Sequence, residues 1–166
     1  MVAGQSPAMA SDSVYVNRYG DLKIALESHA GYKTLDLWDT GVANQIAYDI
    51  STFEGEHISG VVDNVTRHVI VHSGDGADTI ILSGIQVPGN VVIKTGNGDD
   101  NIVVSHSSLL GRFVAVAGGG DDFVSIDNST LYGKTVIRTN GGHDEAFITN
   151  SSFEGNTIFK LGGRLR

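Results

Sequence analysis

One glycine–aspartate phrase recurs four times in this chain at a fixed 22-residue spacing, and nothing else constrains its fold as tightly. The copies read Gly74-Asp75-Gly76-Ala77-Asp78-Thr79-Ile80, Gly96-Asn97-Gly98-Asp99-Asp100-Asn101-Ile102, Gly118-Gly119-Gly120-Asp121-Asp122-Phe123-Val124 and Asn140-Gly141-Gly142-His143-Asp144-Glu145-Ala146. A second series, Gly89, Gly111, Gly133 and Gly155, keeps the same step without insertion. A gap-free period means that each copy stacks on the one before it, so one repeat is one coil of a solenoid.

The columns of the repeat say which kind. Segments 68–72, 90–94, 112–116, 134–138 and 156–160 read as one strand per coil, with β-branched Ile70, Val92, Val114, Val136 and Ile158 at the centre. The glycine phrase follows as a tight turn. A second strand carries Ile80/Leu82, Ile102/Val104, Val124/Ile126 and Ala146/Ile148 at period two, which points these pairs inward. After a polar corner, Val87, Leu109, Leu131 and Phe153 plug a short third side. These features predict an all-β protein, a right-handed parallel β-helix with about 22 residues per coil. Its first strand poses a problem of sides, because columns 70 and 71 (Val71, Ile93, Ala115, Ile137, Phe159) are both apolar. Either a kink turns both inward, which is the expectation adopted, or one ladder lies on the surface as a contact face.

Three regions follow: a leader over 1–13, an N-terminal cap or degenerate coils over 14–64, and regular coils over 65–166. In the cap, 14–16, 22–26, 34–38 and 46–50 read as strands with drifting spacing, as terminal repeats require. Trp38, the only tryptophan, is expected to plug the cap rather than to bind sugar. Ala8-Met9-Ala10 resembles a signal cleavage site, although no apolar segment precedes it. At the other end, Gly162-Gly163-Arg164 begins a fifth turn and leaves an open edge, so either the native protein continues beyond Arg166 or the edge stacks against another molecule.

Gly-x-Gly-x-Asp-x-Ile resembles the hemolysin-type (RTX) calcium nonapeptide, over residues 73–147. The single phrase per coil is also similar to the ~22-residue repeats of long extracellular proteins frequent in planctomycete bacteria. The first resemblance implies Ca²⁺ held between turns by Asp78, Asp100, Asp122 and Asp144, with carbonyls near Gly76, Gly98 and Gly120. The second implies the fold and an extracellular or cell-surface location. This chain departs from the RTX pattern: Ser73, Thr95, Ala117 and Thr139 stand where that family has its first glycine. Calcium suits oxygen ligands aimed by a glycine turn. The competing reading is a metal-free column of Asx-type turns, whose carboxylates accept backbone N–H groups.

Charge narrows the partners. With 19 acidic and 11 basic residues the net charge is −8, which argues against nucleic acid and anionic membranes. No apolar run reaches the ~20 residues that insertion in a membrane needs. Without cysteine there is no disulfide framework. The six histidines show no metal-ligand spacing. Asp99/Asp100 and Asp121/Asp122 resemble paired catalytic carboxylates, but they are generated by the repeat. The expected function is therefore a non-enzymatic extracellular module with a structural, adhesion or assembly role, self-associating through its open edge or an apolar face. The alternative is a polysaccharide lyase or hydrolase, against which stand the gap-free coils and the spread of Lys94, Arg138 and Lys160 down one column. An ice-binding face would need regular Thr-x-Thr columns, which the mixed outward residues do not supply.

Overall fold

The parity of apolar residues sets the architecture. In a computed structural model, which describes residues 12–26 and 31–162, strand side chains alternate between a closed interior and the surface. The leader up to residue 11, His29 and the fifth-turn residues 163–166 lie outside the described residues.

The first regular coil is β6 (Val69–His72), β7 (Thr79–Ser83) and β8 (Gln86–Val87), after five cap strands: β1 (Ser13–Val16), β2 (Leu22–Ala25), β3 (Lys33–Asp39), β4 (Ile46–Thr52) and β5 (His57–Val62). The second coil is β9 (Val91–Lys94), β10 (Asn101–Ser105) and β11 (Ser108–Leu109), and the third is β12 (Phe113–Val116), β13 (Phe123–Asp127) and β14 (Thr130–Leu131). The fourth is β15 (Thr135–Arg138), β16 (Glu145–Thr149) and β17 (Ser152–Phe153), and β18 (Thr157–Lys160) starts a fifth. Regular coils pair in parallel and in register: Val91 meets Phe113, Ile102 meets Val124 and Leu109 meets Leu131. The chain is thus a parallel β-solenoid with three sheets, of seven, seven and four strands.

Inside run apolar ladders: Val69/Val91/Phe113, Val71/Ile93/Ala115/Ile137, Ile80/Ile102/Val124, Leu82/Val104/Ile126 and Val87/Leu109/Leu131, all essentially inaccessible. Burying each such side chain fully contributes about 1.5–3 kcal/mol, so these ladders hold the stack. Between the second and third sheets the corner column Gly84, His106, Asn128 and Asn150 is left-handed (φ 66°, 51°, 47° and 48°), which the short polar side chain of Asn tolerates best. His106 is thereby a corner residue, exposed to solvent.

The expected kink is absent. Column 71 is interior while Ile70, Val92 and Val114 alternate with it on the outer face, partly exposed. The second alternative therefore holds, and an apolar ladder lies on the surface of the first sheet. Trp38 is also corrected: it is 40% exposed near the end of β3 and plugs nothing.

The N-terminal region is both a degenerate coil and a cap. β2 pairs in parallel with β6, and β3 with β7, so together they make an irregular first coil. β1 then folds back antiparallel on β2, and β4 and β5 continue antiparallel from β3. At the opposite end, inward-column Ile148 and Phe159 are 39% and 41% exposed, whereas Ile126 and Ile137 one coil earlier are fully covered.

Candidate functional site

The turn between the first and second sheets carries every residue the sequence singles out for metal. Adjacent aspartates of the phrase part company there. Asp100 and Asp122 are 2% exposed and enter the interior, while Asp99 and Asp121 stay in solvent. Neighbours in an extended turn face opposite sides, so the pairs do not converge as an acid and a base.

The inner column is a hydrogen-bonded ladder. Oδ1 of Asp100 accepts the N–H of Asp78 (2.9 Å), Oδ1 of Asp122 that of Asp100 (3.0 Å), and Oδ1 of Asp144 that of Asp122 (3.0 Å). The outer column runs the other way. Oδ1 of Asp99 accepts from the N–H of Asp121, and Oδ1 of Asp121 from that of His143, both at 2.8 Å. Each coil is therefore tied to both neighbours through side chains as well as sheets. A third ladder lies at the polar corner: Ser107 Oγ accepts from Ile85 N–H, Ser129 Oγ from Ser107 N–H and Ser151 Oγ from Ser129 N–H, at 3.0–3.2 Å.

The glycines fit the same geometry. Gly76, Gly98 and Gly120 have φ of 127°, 132° and 131°, and the carbonyl of Gly76 abuts the α-carbon of Gly98 in the next coil. Those carbonyls face the following coil, whereas the inner carboxylates reach back to the preceding one. One oxygen of each inner carboxylate, Oδ1, is thus taken by a backbone N–H, while Oδ2 of Asp78, Asp100 and Asp122 accepts no hydrogen bond. Among the described residues, no group of three His, Cys, Asp or Glu side chains is placed to hold a metal ion.

A residue that sequence reasoning missed heads the ladder. Lys33 is fully buried, its N–H donates to Oδ1 of Asp78 at 3.0 Å, and its Nζ donates to the carbonyls of Ser73 (2.7 Å) and Asp75 (3.4 Å). Nζ also lies 3.9 Å from Asp78 Oδ1. The column reads Lys33, Asp78, Asp100, Asp122, Asp144. Register places Thr34 opposite Thr79, a separation outside the 22-residue period, and that is why the arithmetic of the repeat does not reach Lys33.

Burial shapes the acidity of this column. It raises Asp78 and Asp122 to about 6, and it raises Asp100 as well. The neighbouring hydroxyls of Ser73 and Thr95 offset part of the rise at Asp78 and Asp100, without closing into hydrogen bonds of good geometry. In the fourth coil the bond is closed: Thr139 Oγ1 donates to Asp144 Oδ2 at 2.6 Å. The third coil has Ala117 in that column, and Oδ2 of Asp122 has no partner.

A pH dependence of stability follows. A carboxyl raised on folding binds its proton more tightly in the native state, so its contribution is present at low pH and is lost as pH rises through about 6. The melting temperature is expected to be several degrees higher at pH 5 than at pH 8, given ~2–4 °C per kcal/mol for a chain of this size. Ala117→Thr supplies the missing donor, and is expected to add about 1 kcal/mol at neutral pH and to shrink the acid gain. A melt that is flat or rising between those two pH values excludes this account.

Compared with known proteins, the chain matches no family model, no curated protein and no solved structure.

Proposed function

We propose that this chain is a non-enzymatic β-solenoid module of the cell exterior, a rigid structural or assembly element whose glycine–aspartate turns are metal-free fasteners between coils. The observation that carries this reading is the double aspartate ladder. The carboxylates that could have served catalysis or metal binding accept backbone N–H groups of the adjacent coil. The enzymatic alternative is tested by incubation with a uronate polymer, and release of unsaturated or reducing ends would overturn the proposal.

Calcium is the second reading, favoured by one observation: Oδ2 of Asp78, Asp100 and Asp122 is buried without a hydrogen-bond partner. An ion at these oxygens would sit beside N–H groups already donating to Oδ1 of the same carboxylates. The discriminating experiment is a thermal melt after EGTA stripping, with and without millimolar CaCl₂ and with Mg²⁺ as control. On the metal-free reading the melt is unchanged, and Asp100→Asn, whose amide oxygen can still accept the Asp78 N–H, melts at or above the parent at neutral pH. A Ca²⁺-specific rise of several degrees that Asp100→Asn abolishes would establish the ion instead.

A further inference from the structure

The outer face of the first sheet gathers positive charge in an acidic protein. Its three outward positions in each of five coils are His68, Ile70, His72; Asn90, Val92, Lys94; Arg112, Val114, Val116; Lys134, Val136, Arg138; and Asn156, Ile158, Lys160. None of the 19 acidic residues occupies any of them. Lys94, Arg112, Lys134, Arg138 and Lys160 are exposed and make no ion pair among the described residues. The cations form two rims along the solenoid axis, one holding Arg112 and Lys134 and the other Lys94, Arg138 and Lys160. Between them runs the apolar ladder Ile70, Val92, Val114, Val136, Ile158, partly exposed at every coil but the fourth, where Val136 is buried. Strand and coil spacings make the strip about 13 Å wide and 19 Å long.

We propose that this strip binds an extended carboxylated polysaccharide lying along the solenoid axis. Five exposed cations without acidic partners are an unmatched field, and a linear polyanion complements charges that recur at coil spacing (~4.8 Å) along one line. The half-exposed aliphatic side chains Ile70, Val92, Val114 and Ile158 accept the C–H faces of sugar rings. The same ladder, which lacks aromatic side chains across these coils, gives bases nothing to stack on. The net charge of −8 repels duplex DNA, with one phosphate per ~1.7 Å, more strongly than a polymer with one carboxylate per sugar. The strip adds a ligand to the scaffold and needs no turnover.

The test is binding of the whole chain to polygalacturonate at about 20 and 200 mM NaCl, a range over which screening shortens from ~20 to ~7 Å. Duplex DNA, phosphatidylserine vesicles and neutral dextran are run in parallel. Binding is expected at low salt, at least tenfold weaker at high salt. A further drop of tenfold or more is expected in Arg112→Ser/Lys134→Ser/Arg138→Ser, whose altered side chains all point to solvent; circular dichroism checks its fold. Arg18→Gln removes a cation from the exposed cap and should bind as the parent does. Absence of polygalacturonate binding at low salt overturns the proposal, as does binding that the triple variant leaves intact. Retention of DNA or vesicles at equal strength overturns the polysaccharide assignment. Sedimentation showing self-association that the triple variant abolishes would make a second copy the occupant and overturn it too. Cleavage of the bound polymer would sink the non-enzymatic reading while leaving the binding strip standing.

Discussion

Lys33→Met is expected to destabilise the fold by about 3–5 kcal/mol, the range for removing one member of a buried ion pair. The lysine is fully buried at the head of the aspartate column, where its Nζ satisfies the Ser73 and Asp75 carbonyls and faces Asp78. Methionine fills similar volume, so the loss is electrostatic and hydrogen-bonding rather than a cavity. Two carbonyls lose a donor, and Asp78, already raised to about 6 by burial, loses its compensating cation. Without that cation Asp78 takes up its proton at a higher pH than in the parent, so the penalty is expected to shrink as pH falls from 8 towards 6. The double variant Lys33→Met/Asp78→Asn should recover part of the loss, because no unpaired charge is then buried. Urea melts of the two variants at pH 5 and pH 8 check this. A single variant within about 1 kcal/mol of the parent at pH 8 would show that Lys33 is not the fastener described.

The solenoid was legible because the repeat enforces it. A strict 22-residue step leaves room only for stacked coils, and the inward columns Ile80/Leu82 and Ile102/Val104 follow from parity alone. Parity also held the answer for columns 70 and 71. Lys94 and Arg112 share the side of Val92 and Val114, and a solvated cation marks that side as outer; apolarity alone could not separate two Val/Ile columns. Net charge hid the basic strip for a related reason. The repeat columns already line up Lys94, Arg138 and Lys160, but that Arg112 and Lys134 flank the same outer ladder follows only once column 70 is known to face out. The fate of the aspartates was half legible. Their position in a glycine turn admits both an Asx-type ladder and a metal ladder, and the direction of each Oδ1, back to the previous coil's N–H, is a feature of the folded coils that the sequence does not print. Lys33 was invisible because the irregular cap breaks the period.

Gly98→Ala is expected to cost about 3 kcal/mol or more, by two independent routes. At φ 132° the backbone lies in a region that is essentially glycine's alone, and holding a side chain there costs roughly 1–3 kcal/mol. The added methyl group would also stand 2.2 Å from the Gly76 carbonyl oxygen of the preceding coil. That oxygen belongs to backbone fixed by the coils on both sides, so relief requires the coils to separate. In a solenoid, neighbouring coils supply most of one another's stability, and a breach in the second coil weakens the interface with the first. Gly141→Ala is the control, since a methyl group there meets nothing within 4 Å although the residue sits in the same phrase two coils later. It should change stability by less than about 1 kcal/mol. Equal losses from the two substitutions would mean that the turn tolerates no side chain for reasons of general flexibility. A large loss at Gly98 with little at Gly141 would show that the glycine columns exist to let one coil's carbonyls touch the next coil's backbone, the contact on which register, the aspartate ladders and the outer cation rims all depend.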